Sequence, residues 1–231
     1  MNIGIIVAVP EEQEAIEKII KKIDEKIIYD LRFIEGKIQD KNCILVKCGV
    51  GKVNAARTTQ LLIDKYNPDC IINVGVAGAL NPMLEIGDIV IGESLVQHDF
   101  DITAFGHEKG YITGVGEKIN ADRNLTDKLY KIIDNKEDRI YKVEKGTIAS
   151  GDIFCTDIVM KNKIYAKFDA ECVEMEGAAI AQVCYLCNIP FLVLRSISDT
   201  PNGENTITYE QFIKPSSERC SNILKEFFKN L

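Results

Sequence analysis

Short apolar runs alternate with helix-like segments along almost the whole chain. The apolar runs, each long enough for one strand, are Ile3–Val9, Ile27–Phe33, Cys43–Lys47, Cys70–Val74, Asp88–Ile91, the residues around Ile148, and Phe191–Ile197. The segments with apolar residues at helical spacing are Glu11–Ile23, Val53–Tyr66, Leu125–Ile133, Ala178–Cys187 and Tyr209–Leu231. Continuous apolar strands between helices are typical of a sheet covered by helices on both faces. We therefore expect an α/β fold, a three-layer sandwich with a mixed, mostly parallel central sheet.

Two other stretches depart from this alternation. The segment Met83–Gly116 is denser in strand and turn residues, which predicts antiparallel or looped structure there. The charged tract at residues 134–139 indicates a solvated loop.

The size and the charge of the chain limit the functions it can have. At 231 residues it is short enough for one domain, and we expect a single domain over residues 1–231. Its formal net charge of -7 argues against a nucleic-acid partner, because binding to a phosphate backbone requires a basic face. The apolar N-terminal run lacks a basic flank and ends at Pro10, so we expect no signal peptide. With no apolar run long enough to cross a bilayer, a cytoplasmic protein without a membrane partner is expected.

Cysteines and histidines give no sign of a cofactor. The eight cysteines lie mostly inside apolar runs, as buried hydrophobic residues do, and we expect them to be reduced. Cys184 and Cys187 have the spacing of a redox motif, but they fall inside a predicted helix, where core packing is the better interpretation. His98 and His107 have no ligand-forming partners nearby in the sequence. We expect neither a metal site nor a cofactor.

Three acidic residues follow apolar strands of the predicted sheet. Glu12 comes after the first strand, Glu176 lies within Val173–Ala179, and Asp199 follows the last strand. Ligands of open α/β sheets bind at the carboxyl ends of the strands, so we expect these carboxylates and Gly78 to line one pocket. Taken singly, each acid could merely favour the positive end of a helix. Their common edge favours a functional site.

Glycines lie in turns after several of these strands, namely in Gly49–Lys52, Gly75–Ala79 and Ser150–Asp152. Glycine permits positive φ and a close approach of backbone to a ligand, although ordinary turn geometry explains any single one. Because Gly49–Lys52 lacks the G-x-x-x-x-G-K-[ST] spacing of a phosphate loop, it does not predict nucleoside triphosphate binding.

Seven ordered motifs resemble those of the purine nucleoside phosphorylase/nucleosidase superfamily and, within it, the bacterial 5′-methylthioadenosine/S-adenosylhomocysteine nucleosidases. They are Ile3–Ile6 with Glu11 and Glu12, Gly49–Ala56, Ile71–Leu80, Ile86–Val90, His98–Gly106, Ser150–Phe154, and Val173–Glu176 with Ser198 and Asp199. The likeness spans essentially the whole chain. It implies a nucleoside phosphorylase-like fold and hydrolysis of the N-glycosidic bond of both nucleosides, which releases adenine and a thioribose product.

The resemblance also implies roles for individual residues. Asp199, aided by Ser198, would protonate N7 of the leaving adenine, Glu12 would activate the attacking water, and Glu176 would hold the ribose hydroxyls. The other substrate-binding residues that it implies are Gly78, Phe154, Cys155, Met175, Val76, Ala77, Val50 and Val9, with Ile102 and Phe105 entering the pocket of a neighbouring subunit. A homodimer with shared sites is implied as well.

The chemistry of this reaction agrees with a pair of carboxyl groups. Adenine leaves poorly unless it is protonated, and the transition state resembles an oxocarbenium ion, as in glycosidases. An acid role requires Asp199 to hold a proton near neutral pH, for which burial and neighbouring carboxylates are the available means.

Three alternatives stay open on the sequence. A nucleoside phosphorylase would need phosphate ligands, yet Asn73 stands where phosphorylases of the superfamily carry an arginine, and Glu12 would repel phosphate. A hydrolase of another purine nucleoside, such as futalosine, is the second, and the segment Ile102–Phe105 favours the methylthioadenosine type over it. A non-enzymatic nucleoside-binding protein is the third, although binding alone would not require a base for water.

Overall fold

The computed structural model describes residues 1–135, 139–200 and 205–231. Within these residues, one mixed sheet contains the strands β1 (Asn2–Val7), β2 (Lys21–Ile28), β3 (Leu31–Ile38), β4 (Lys41–Lys47), β5 (Cys70–Ala79), β6 (Ile89–Gln97), β7 (Ile119–Asn120), β8 (Val143–Ser150), β9 (Ala170–Glu174) and β10 (Phe191–Asp199). The helices are α1 (Pro10–Glu17), α2 (Lys52–Tyr66), α3 (Arg123–Asp134), α4 (Ile158–Phe168), α5 (Gly177–Leu186) and α6 (Asn205–Asn230).

The strands at the centre of the molecule are parallel and buried. β1 pairs in parallel with β4 and β5, and β5 pairs in parallel with β10. One face of the sheet packs against α2 and α5, while α1, α3 and α6 cover the other. The expected α/β sandwich with a mixed sheet is therefore confirmed.

Strand β5 organises the sheet, because it pairs with β1, β9 and β10. The pairings of β10 with β6, β6 with β8, and β8 with β9 then return to β5, so these five strands close a ring. In this ring Asp199 at the end of β10 stands opposite Gly78 of β5, next to an irregularity in the register.

The N-terminal region corrects two expectations. Helix α1 ends at Glu17, not at Ile23, and the single strand expected over Ile27–Phe33 is a hairpin of β2 and β3 that turns at Tyr29. Tyr29 has a φ of 56°, a left-handed conformation that reverses the chain within an apolar run. Ile23 is exposed on the edge strand β2, so its helical spacing from the apolar residues of α1 was coincidental.

The middle of the chain contains one confirmed and two missed features. Met83–Gly116 contains the antiparallel contact of β6 with β10, a 3₁₀ turn at Thr103–Phe105 and a bridge from Ile112 to Gly116, in agreement with the expected looped structure. Helix α4 and strand β9 were not predicted. In the charged tract, residues 136–138 lie outside the described residues.

All eight cysteines lie among the described residues, and each is a free thiol. Cys184 is buried on α5, as expected for core packing. Among the residues with described structure, no helix combines the length and apolar character that a bilayer span requires.

Candidate active site

A pocket of about 420 Å³ opens beside the carboxyl ends of β1, β5 and β10, where ligand sites of open α/β sheets lie. Most of its wall is apolar. Its lining residues are Ala8, Val9, Glu12, Val50, Val76, Ala77, Gly78, Ile153, Phe154, Cys155, Val173, Glu174, Met175, Glu176, Ser198, Asp199, Tyr209 and Glu210. All candidate site residues except Ile102 and Phe105 are therefore brought together by the fold.

Glu12 is held by backbone amides at the start of α1. Its Oε2 accepts hydrogen bonds from the N–H groups of Ala8 at 2.7 Å and Val9 at 3.2 Å, and its Oε1 accepts one from Val76 at 3.0 Å. The contact with Val9 forms part of a capping box, so Glu12 also stabilises the helix start. Burial raises the pKa of Glu12 above its usual value, against the opposing effect of these N–H groups. A fixed carboxyl group of this kind can accept a proton from a bound water.

Asp199 is buried at the end of β10 with both carboxyl oxygens engaged. Oδ1 accepts a hydrogen bond from the Ser198 hydroxyl at 3.1 Å, and Oδ2 accepts one from the Lys161 ammonium at 2.9 Å. The carboxyl group lies so close to Gly78 that a Cβ there would be 2.8 Å from Oδ2. Helix α4 also brings a buried cation, the Lys161 ammonium, against Asp199, which the sequence did not predict.

Glu176 lies between β9 and α5 and ties the pocket to the loop before α2. Its Oε1 accepts a hydrogen bond from the N–H of Gly51 at 2.8 Å. Burial, followed by the charge of neighbouring Glu174, raises the pKa of Glu176 to about 8. The Glu176 carboxyl group can therefore gain or lose its proton near neutral pH. A polar ligand that replaces part of its surroundings can also change its charge.

Glu174 supports the pocket by fixing the chain around it. Its Oε2 accepts hydrogen bonds from the N–H of Gly177 at 2.8 Å and of Glu176 at 3.1 Å, and its Oε1 accepts one from the Ser150 hydroxyl. Arg195 of β10 forms a buried ion pair with the same carboxylate. Glu174 is thus fully engaged within the protein.

Sequence reasoning missed the contribution of Arg195. Its guanidinium is buried and donates to Glu174 and to Asn73 Oδ1, and Asn73 in turn donates to the carbonyl of Ile6 at 3.0 Å. The signal was present, because a charged residue inside a buried strand requires a buried partner. Arg195 lies under the carboxylates and balances part of their charge.

An aromatic wall closes another side of the pocket. The rings of Phe154 and Tyr209 meet edge to face, with centroids 5.5 Å apart. Phe154 is half exposed, so part of its ring is available to a planar ligand. Tyr209 and Glu210 reach the pocket from α6. Neither was predicted, since both lie outside the motifs.

Ile102 and Phe105 lie apart from the pocket of their own chain. Ile102 precedes the 3₁₀ turn at Thr103–Phe105 and Phe105 is its last residue, which is 82% exposed. An aromatic side chain with this exposure is available to a second protein surface.

Metal-binding residues are not grouped in the described parts of the chain, where no set of three or more His, Cys, Asp or Glu side chains could hold an ion.

The family of the chain follows from comparison with known proteins. Residues 2–229 match the family model of the Phosphorylase superfamily. A 5′-methylthioadenosine/S-adenosylhomocysteine nucleosidase of Staphylococcus haemolyticus is 37% identical over 230 residues, which cover 99% of this chain and 100% of the relative. The chain belongs to this nucleosidase family. Solved structures of similar proteins support this family assignment.

Two of those structures are informative about ligands. The S-adenosylhomocysteine nucleosidase of Streptococcus pyogenes, in complex with 5-methylthiotubericidin, has a TM-score of 0.94 and 36% identity, covering 100% of this chain and 97% of that chain. The futalosine hydrolase of Helicobacter pylori has a TM-score of 0.95 and 31% identity, covering 100% of this chain and 98% of that chain. The shared fold therefore includes proteins named for different nucleosides.

Proposed function

We propose that the protein hydrolyses the N-glycosidic bond of 5′-methylthioadenosine and of S-adenosylhomocysteine, releasing adenine and the corresponding thioribose. The observation that carries this proposal is that two buried carboxyl groups, Glu12 and Asp199, line one largely apolar pocket. The names of the full-length relatives support the same reaction.

The two carboxyl groups take different parts in the reaction. Asp199 gives a proton to N7 of adenine, with Ser198 orienting its carboxyl group through the 3.1 Å hydrogen bond. Glu12 orients a water molecule at the anomeric carbon and accepts its proton as the carbon–oxygen bond forms. Each such acid or base contributes on the order of 10²–10⁴-fold to the rate. The negative charge of Glu12 also stabilises the oxocarbenium-like transition state.

The remaining lining residues bind the nucleoside. Glu176 accepts hydrogen bonds from the ribose hydroxyls, and Met175 packs under the sugar. The adenine stacks on Phe154 while the backbone of Cys155 contacts its Watson–Crick edge. The other residues that line the sugar and alkylthio sides are Val9, Val50, Val76, Ala77 and Gly78.

We further propose a homodimer in which Ile102 and Phe105 complete the pocket of the partner subunit. The exposure of Phe105 supports this, because it leaves most of a large apolar residue uncovered by its own chain. An apolar cover over the pocket would also exclude bulk water from the reacting bond.

The phosphorylase alternative is disfavoured by the contacts of Asn73 and Arg195. Asn73 is occupied by Arg195 and the carbonyl of Ile6, and the Arg195 guanidinium is paired with Glu174. A phosphate in this place would face Glu12 without a free cation among these residues. Water is therefore the preferred nucleophile.

Futalosine hydrolysis is the second candidate, favoured by the likeness to the Helicobacter pylori hydrolase. Purified protein should be incubated in parallel with methylthioadenosine, S-adenosylhomocysteine and futalosine, and the released base quantified by mass spectrometry. We expect adenine from the first two at far higher kcat/KM than any base from futalosine. Preferential cleavage of futalosine would refute the proposed substrate class.

A further inference from the structure

A buried ion pair lies directly behind the candidate acid. Lys161 is on α4, its side chain is 1% exposed, and its Nζ is 2.9 Å from Asp199 Oδ2. A lysine is almost never fully buried unless it is paired, and moving two charges out of water is costly. Lys161 is absent from the pocket lining, whereas Asp199 is part of it. Asp199 therefore links the ammonium to the pocket.

The ion pair bears on which group holds the proton of the acid step. An acid has to carry a proton, yet a carboxylate that accepts a hydrogen bond from an ammonium has none to give. The ammonium itself has three N–H protons, one of which points at Oδ2. The missing proton is therefore present in the site, one hydrogen bond behind the carboxylate.

We propose that Lys161 stores the proton that Asp199 passes to the leaving base, which makes Lys161 a positioning and proton-supplying residue for the acid. This inference rests on the proposed nucleosidase function. As N7 of the purine approaches, one Lys161 N–H bond breaks, its electron pair stays on Nζ, and the proton moves to Asp199 Oδ2. Asp199 then gives that proton to N7, and the electron pair of the N-glycosidic bond moves onto the base.

The remaining steps restore the starting state. Water adds to the anomeric carbon, Glu12 accepts its proton, and that proton later leaves to solvent. The neutral Lys161 amine recovers a proton from solvent after the base departs, so the net reaction consumes one water and no proton.

The other titratable groups near the pair do not compete for this role. Burial raises the pKa of the Cys155 and Cys172 thiols and of the Tyr209 phenol, so all three stay neutral near neutral pH. Asp157 is exposed and its carboxylate caps α4 by accepting a hydrogen bond from the N–H of Met160.

The test compares Lys161→Met with Lys161→Arg, using Lys163→Met, an exposed position on the same helix, as the matched control. Arginine keeps the positive charge but does not release a proton. We expect both Lys161 variants to lose on the order of 10²–10⁴-fold in kcat for methylthioadenosine, with little change in KM. A nitrophenyl riboside, whose leaving group needs no protonation, should be cleaved at nearly the wild-type rate, which also shows that the variants are folded.

The pH profile gives the readout that a purely structural role would not change. Without Lys161, Asp199 must hold the proton alone, so the ratio of wild-type to Lys161→Met kcat should widen from pH 5 to pH 9. A ratio that is constant with pH, equal losses on both substrates, or full activity of Lys161→Arg would each overturn the inference. If the wild-type protein released no adenine, the proposed function itself would fail. If Asp199→Asn is inactive and Lys161→Met is not, only the role of Lys161 fails.

Discussion

Glu12 Oε1 accepts a hydrogen bond from the backbone N–H of Val76 at 3.0 Å, which joins the start of α1 to strand β5 inside the pocket. The second oxygen of Glu12 is fixed by the N–H groups of Ala8 and Val9. A carboxyl group held from two elements cannot rotate freely. The position of the candidate base therefore depends on the backbone of β5.

Gly75, one residue before Val76, tests this dependence. A Cβ at this position would be 2.5 Å from Glu12 Oε1, so Gly75→Ala should displace the carboxyl group. Because a displacement of about 1 Å can lower a rate by about 10²-fold, we expect a loss of that order in kcat for methylthioadenosine. Gly92→Ala is the control, since its Cβ would meet only apolar side chains of the core. Unchanged kcat in Gly75→Ala would argue against Glu12 as the base.

Asp199→Asn keeps the shape of the acid but removes its ability to give a proton. We expect cleavage of methylthioadenosine to fall by on the order of 10²–10⁴-fold, while binding of a nucleoside inhibitor and the melting temperature change little. A nitrophenyl riboside should be affected much less. Equal losses on the two substrates would exclude Asp199 as the acid.

Glu176 makes the stability of the protein depend on pH. Its pKa is raised from 4.5 to about 8 in the folded protein, first by burial and then by Glu174. The folded state therefore binds this proton more strongly than the unfolded state, and the resulting stability is complete below pH 4.5 and lost as the pH rises through 8.

Glu176→Gln removes this titration while keeping the shape of the side chain. Between pH 5 and pH 9, the free energy of unfolding in urea should fall by at least about 1 kcal/mol more for the wild type than for the variant, since one pKa unit corresponds to about 1.4 kcal/mol. Parallel pH curves for the two proteins would contradict a raised pKa of Glu176.

Phe105 tests the proposed dimer. Phe105→Ala should raise KM for methylthioadenosine by removing an apolar contact worth roughly 1–3 kcal/mol, and Phe105→Asp should also weaken dimerisation. Ile140→Ala serves as the control, because Ile140 is also a highly exposed apolar residue but lies outside the Ile102–Phe105 segment. A wild-type protein that sediments as a fully active monomer at assay concentrations would refute both parts.

The location of the site at the carboxyl ends of the strands was predictable from the sequence. Apolar strands followed by acids and glycines place Glu12, Gly78 and Asp199 at one edge of a sheet. The hairpin at Tyr29 was missed although Asp30 is a residue type common in turns, because the apolar residues on both sides of it fit one continuous strand. Strand periodicity cannot distinguish one strand from two of opposite direction.

Lys161 shows a different limit of sequence reasoning. It lies between Met160 and Asn162 on α4, where nothing in the local sequence indicates an ion pair, and only the three-dimensional arrangement reveals its burial against Asp199. Tyr209 is similar, because its place in the pocket depends on how α6 crosses the sheet. Contacts between residues distant in sequence leave no local pattern.

The central claim is that water, and not phosphate, attacks the anomeric carbon. The direct measurement is adenine release from methylthioadenosine in ¹⁸O-labelled water, with and without phosphate, followed by mass spectrometry of the sugar. We expect the same rate in both conditions and a methylthioribose with one ¹⁸O atom. A rate that requires phosphate, with a sugar 1-phosphate as the product, would contradict this account.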